Sequence, residues 1–118
     1  MLTAEFADHF VAEWISAWNA HDLERILAHW AEPCTFTSPL VARLMGEPTG
    51  TVHGLAALRA YWARGLAANP DLRFELDRVL VGHDSLVIAY RNHRGQHAGE
   101  WLRLDGAGRA VAGVAHYR

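Results

Sequence analysis

FVAEWISAWNAHDLERILAHWAEPCTFTSP, Phe10 to Pro39, holds a long amphipathic helix, a tight break, a short second helix and a first strand. Phe6, Ala7, Phe10, Val11, Trp14, Ile15 and Trp18 recur at i, i+3, i+4 and i+7, which makes one wide apolar stripe. The stripe ends at Asn19-Ala20-His21-Asp22. Leu23, Ile26, Leu27 and Trp30 then repeat the spacing over two turns, so the second helix is expected to run until Glu32-Pro33 stops it. Two helices joined by so short a break fold back on each other or cross sharply. Their aromatic faces need a sheet to cover them.

Outward from this stretch the chain continues in kind. Thr3 is placed to cap the first helix, with Glu5 in its first turn complementing the helix dipole. Cys34-Thr35-Phe36-Thr37 is a β-branched and aromatic strand ended by Ser38-Pro39. Residues 40–51 read as a Gly- and Pro-containing loop, with an apolar patch at Leu40, Val41, Leu44 and Met45, long enough to act as a flap. Gly54 to Ala68 reads as a third helix, ended by Asn69-Pro70. Beyond it the period changes to two. Strands are expected through Leu72–Val81, Leu86–Asn92, His97–Leu104 and Ala110–Tyr117, with turns at Gly82-His83-Asp84, at Arg94-Gly95 and at Asp105-Gly106-Ala107-Gly108. Three helices gathered on a mostly antiparallel sheet is an α+β domain, and residues 1–118 form one such domain.

Composition narrows the function classes. Eleven basic and 13 acidic side chains give a net charge of -2, every basic one is Arg, and no basic block stands out. Nucleic-acid binding is therefore not expected, since it draws on clustered cations. The single cysteine, Cys34, allows no intrachain disulfide and reads as a buried structural thiol. MLTAEFADHF lacks the basic region and apolar run of a signal peptide, and no apolar stretch reaches membrane-spanning length, so a soluble cytoplasmic protein without membrane partners is expected. Eight histidines show no metal-ligand spacing. His93 and His97 flank a turn and could approach each other, but no metal or other cofactor is implied. Five tryptophans are many for this length, and rings of that size suit a cavity wall, a core or an interface.

WISAWNAHDLERILAHWAEPCTFTSP, GLAALRAYWARGL and EWLRLDGAGRAVAGVAHY together resemble the nuclear transport factor 2-like superfamily, which includes ketosteroid isomerases and SnoaL-like polyketide cyclases. The resemblance covers nearly the whole chain. It implies a conical α+β barrel whose strongly curved sheet wraps the helices around a deep apolar pocket, and it implies a homodimer. Fold alone does not name a reaction. The isomerase base position matches Ser38, which cannot act as a base at neutral pH, and the isomerase tyrosine position matches Trp14, which donates one hydrogen bond but is no acid. The acid position matches Glu100, the one ionisable group that remains.

Glu100 is thus the first candidate for acid–base chemistry, provided that it faces the pocket rather than solvent or an arginine such as Arg91 or Arg103. One strand register places Glu100, Gly113, Ala115 and Tyr117 on the pocket face and sends Trp101, Val114 and His116 outward toward a dimer partner. A slip of one residue makes His116 the pocket base instead. Trp14, Trp18, Trp30, Tyr61 and Trp62 are candidate cavity rings, His53 a candidate for the pocket mouth, and Asn92 a candidate donor to a ligand carbonyl. Two readings follow. The first is a small enzyme that moves protons on an apolar ring-shaped or polyketide-like substrate through Glu100, with Trp14 and Tyr117 positioning it. The second is a non-catalytic domain that binds a small apolar ligand or serves as a dimeric scaffold.

Overall fold

The computed structural model describes residues 1–118. Helix α1 (Ala4–Asn19) starts where the Thr3 hydroxyl accepts a hydrogen bond from Phe6 N at 3.0 Å, and its stripe buries Phe10, Val11, Trp14 and Trp18. The chain reverses at His21, whose φ of +54° suits the tight break; histidine is among the non-glycine residues that tolerate this region. Asp22 caps α2 (Leu23–Leu27) by accepting from Arg25 N at 3.2 Å. The Glu13 carboxylate accepts two bonds from the Arg25 guanidinium, at 2.8 and 3.0 Å, and ties α2 to α1.

Three readings of the sequence change here. Helix α2 stops at Leu27, and Trp30 already opens β1 (Trp30–Thr37). Trp30 pairs with Ala110, and Ala110 N donates to His29 O at 2.8 Å, so sheet pairing overrides a helical period carried by one residue. Pro33 then sits inside β1, where the register against the neighbouring strand breaks between Trp30 and Thr35. A bulge is where a sheet accepts a residue without an N–H.

The expected loop after Ser38 contains a helix, α3 (Pro39–Met45). Ser38 Oγ accepts from Leu40 N at 3.2 Å, Pro39 occupies the first turn, and Gly46 closes the helix at φ +66°. Ser-Pro was therefore a helix start as well as a strand end. A short strand, β2 (Thr51–His53), follows and pairs with β1. The helix over Leu55–Ala68 is accordingly the fourth, α4, and not the third.

The remaining strands are β3 (Glu75–Val81), β4 (Ser85–Arg91), β5 (His97–Leu104) and β6 (Ala110–Tyr117). The six strands run β2-β1-β6-β5-β4-β3, with β1 and β6 parallel and every other pair antiparallel. The sheet is mixed, strongly curved over the four helices and not closed into a barrel. Ile88, Glu100 and Ala115 lie opposite one another and are buried, facing the helices. The adjacent row, Val87, Trp101 and Val114, points to the outer face.

Two contacts shape the interior around the helices. Asn19 donates to Phe74 O at 2.9 Å and accepts from Phe74 N at 2.7 Å, which holds the Phe74 ring against Trp14, Trp18 and Tyr90. At Gly113 the sheet has no room for a side chain, since a Cβ there would meet the Trp30 ring at 2.6 Å and Leu102 at 2.9 Å.

Candidate functional site

A cavity of about 410 Å³ opens between α3, the C-terminal half of α4, the β4–β5 turn and the inner face of the sheet. Its walls are apolar, supplied by residues such as Trp18, Phe36, Leu44, Trp62, Leu72 and Phe74. The aromatic walls brace one another edge to face: Trp18 meets Trp62 at 5.3 Å between ring centroids and Phe36 meets Trp62 at 5.4 Å.

Glu100 lines this cavity and is 6% exposed. Strand alternation puts it there. β5 buries Ala98, Glu100, Leu102 and Leu104 while His97 and Arg103 are exposed. Neither arginine proposed as a partner reaches it. The Arg91 guanidinium lies 3.3 Å from His97 Nε2, and Arg103 projects from the opposite face. The carboxyl has one hydrogen bond, accepted by Oε1 from the Tyr90 hydroxyl at 3.2 Å. Burial disfavours its charged form and pushes its pKa up to about 7, with the Tyr90 hydrogen bond opposing part of the rise.

A group of hydroxyls surrounds this carboxyl. Tyr90 and Tyr117 each raise or lower the other's pKa, and Ser38 eases the ionisation of both Tyr117 and Tyr61, so the four groups lie near one another at the inner end of the cavity. All three phenols are held neutral. Burial raises Tyr61 to about 12 despite Ser38. It raises Tyr90 well above the ordinary value, with Glu100 and Tyr117 adding to the rise. It raises Tyr117 too, where Glu100 and Tyr61 add and Ser38 and Tyr90 oppose. These phenols donate hydrogen bonds but do not ionise near neutrality. Of the carboxyl and these three phenols, Glu100 alone changes charge there.

The other candidates divide. Trp18, Trp62, Asn92 and Tyr117 line the cavity with Glu100. Asn92 does so at the mouth, where its side chain organises the β4–β5 turn by accepting from Arg94 N and Gln96 N, both at 3.0 Å. Ser38 is 1% exposed; it caps α3, and its hydroxyl lowers the pKa of both Tyr61 and Tyr117.

Trp14 is not a cavity residue. It is buried among Phe74, Trp18 and Tyr90, because the helix stripe that carries it points into the core beside the cavity. His53 is exposed on β2 opposite Thr35, away from the mouth. His116 is exposed on the outer face, so the slipped register fails: Gly99 faces His116, and Glu100 faces Ala115. His93 and His97 diverge, the first lining the cavity and the second lying against Arg91.

Tyr90 was not singled out from the sequence, although Leu86, Ile88 and Tyr90 alternate along β4 and a hairpin at Arg94-Gly95 brings Tyr90 diagonally beside Glu100. Arg43 and Arg94, which also line the cavity, carried no such signal.

The SnoaL-like domain model matches residues 11–118. A SnoaL-like protein of unknown function from Burkholderia thailandensis shares 41% identity over 100% of this chain and 99% of its own, with a TM-score of 0.94. A nuclear transport factor 2-like protein from Burkholderia pseudomallei is similar in fold, at 21% identity over 96% and 91% of the two chains and a TM-score of 0.76. So is TerC, co-crystallised with polyporic acid, at 14% identity over 96% and 92% and a TM-score of 0.78. No curated protein matches the chain. The match over almost the whole length and the close structural relative together place this chain in the SnoaL-like family.

Proposed function

We propose that this domain binds a small, mostly apolar ring-shaped or polyketide-like molecule and moves a proton on it through Glu100. One observation carries the reading: a carboxyl with no cationic partner, buried in an apolar cavity and poised to titrate near pH 7. A structural carboxylate is normally paired or solvated, whereas one left in this state suits general acid–base work. The family membership and the co-crystallised ligand of TerC support a small-molecule occupant.

In this reading the Glu100 carboxylate takes a proton from the carbon next to a ligand carbonyl. The carbonyl oxygen, which gains negative charge as that C–H bond breaks, lies toward the Tyr117 and Tyr61 hydroxyls. Their neutrality is what makes them useful, since they stabilise the oxyanion by donation and give up no proton. Tyr90 keeps the Glu100 carboxyl oriented. Glu100, now protonated, returns its proton to the ligand in an isomerisation or a ring closure. Ser38 takes no proton.

Hydrogen–deuterium exchange at the activated carbon of cyclic ketones, followed by NMR in D2O, tests this directly. Exchange catalysed by the wild type, with a midpoint near pH 7, and its loss in Glu100→Gln is the expected result. Saturable binding of the same ketones without any exchange refutes the acid–base step and leaves a binding domain.

The assembly we propose is a homodimer through the outer face of the sheet. Leu80, Val87, Trp101 and Val114 lie directly across from one another on four neighbouring strands, and Leu80 is 57% exposed. Such a row suits burial against a second copy. Sedimentation at micromolar concentration should show a dimer that Trp101→Glu dissociates, and a wild-type monomer refutes it.

A further inference from the structure

The cavity described above is polar at both ends, and the two ends differ in charge. The inner end holds Glu100 and the hydroxyls, and Glu100 is the only acidic residue lining the cavity. The exposed part of the lining holds Arg43 from α3 and Arg94 from the β4–β5 turn. Neither arginine has a carboxylate partner, in contrast to Arg25 with Glu13 and Arg59 with Glu24. Arg94 is also held in place. Its guanidinium donates to Asn69 Oδ1 at 3.0 Å, the Asn69 amide donates to Gly65 O at 2.9 Å, and Arg94 N donates to Asn92 Oδ1 at 3.0 Å. Arg64 donates to Leu44 O at 3.2 Å and fixes the end of the helix that carries Arg43. His93 lines the same region with its side chain 12% exposed and Asp71 3.5 Å away, and Asp71 itself does not line the cavity.

We propose that the ligand is an amphiphilic carboxylic acid, its ring system in the apolar shaft and its carboxylate at the mouth on Arg94 and Arg43. The proposal rests on the reading of the cavity as a ligand site and adds the chemical class and the orientation. Orientation follows from electrostatics: an anion at the inner end would meet Glu100, whereas at the mouth it meets two guanidiniums and no acid. A planar guanidinium fork pairs naturally with a carboxylate. At liquid-water packing of roughly 30 Å³ per molecule the cavity has room for about fourteen waters, space enough for a two-ring acid bearing one further polar group.

6-Hydroxy-2-naphthoate has that size, and its methyl ester keeps the rings and the phenol without the charge. Quenching of tryptophan fluorescence reports binding, because Trp18 and Trp62 form the wall. The wild type should bind the acid at least about tenfold more tightly than the ester, a preference reduced by added salt. Arg94→Gln, a change at an exposed site, should cost the acid about tenfold and leave the ester unchanged, with Arg43→Gln acting in the same direction. Equal affinity for acid and ester in the wild type overturns the proposal, as does a loss in Arg94→Gln common to both, or no binding of either. The two readings fail separately. Arginine-dependent preference for the acid with no proton exchange at any ketone removes the catalytic reading alone. Glu100-dependent exchange without preference for the acid removes this one alone.

Discussion

Replacing Glu100 by Gln should make the protein more stable as the pH rises, by an amount set by the buried carboxyl. The folded pKa is about 7 against the ordinary glutamate value of 4.5, a difference of about 2.5. At about 1.4 kcal/mol per unit this corresponds to about 3 kcal/mol. The sign follows from proton counting. Below pH 4.5 the carboxyl is neutral in both states and costs nothing. Between 4.5 and 7 the unfolded chain has released its proton and the folded chain has kept it, so stability falls with rising pH. Above 7 both states are ionised and the full penalty stands. Gln keeps the shape and an acceptor for the Tyr90 hydroxyl but carries no charge. Urea denaturation followed by tryptophan fluorescence, at pH 4 to 8.5 and at one protein concentration, gives the difference between variant and wild type. Every other titrating group cancels in that difference. It should rise by about 3 kcal/mol from acid to alkaline pH, whatever constant offset the new amide introduces. A difference independent of pH refutes the claim that Glu100 is buried without compensation.

Other outcomes follow from single contacts. Tyr90→Phe removes the hydrogen bond that holds the Glu100 pKa down, so the same pH-dependent penalty should move to higher pH, as a titration of the variant will show. Gly113→Ala should destabilise by about 1–3 kcal/mol in thermal or urea unfolding, because its methyl meets the Trp30 ring and Leu102 inside a packed core. Asn19→Ala should cost about 1–3 kcal/mol, since it leaves the Phe74 N–H and C=O without their partner, and it should loosen the cavity wall enough to weaken ligand quenching.

Much of this arrangement was legible in residue order. The helical stripe of α1, the Thr3 cap, the Asp105-Gly106-Ala107-Gly108 hairpin and the alternation of β5 and β6 are local patterns, and local patterns carry their own physics. Trp30 shows where locality ends, because its pairing with Ala110 is a contact across most of the chain. Ser38-Pro39 shows a different limit, one pair of residues ending a strand and starting a helix. In the site, Glu100 and Tyr117 followed from a register that the pairing of β5 with β6 bears out, whereas His116 belonged to its one-residue slip. Trp14 was a cavity candidate because it matches the isomerase tyrosine position and belongs to the helix aromatics, yet the folded chain stacks it on Phe74 and against Tyr90 in the core. The arginines of the mouth come from α3 and from a turn, and only the folded chain brings them to one opening.

The proposed chemistry depends most on the state of one carboxyl. Carbon-13 labelling of the glutamate side chains, with Glu100 assigned by comparison with Glu100→Gln, allows its titration to be followed by NMR. The midpoint should lie near 7, set by burial in the cavity, and should move upward in Tyr90→Phe. A midpoint at the ordinary glutamate value of 4.5 contradicts it, for a carboxyl that titrates there is solvated or paired, and neither state leaves a proton to be moved at neutral pH.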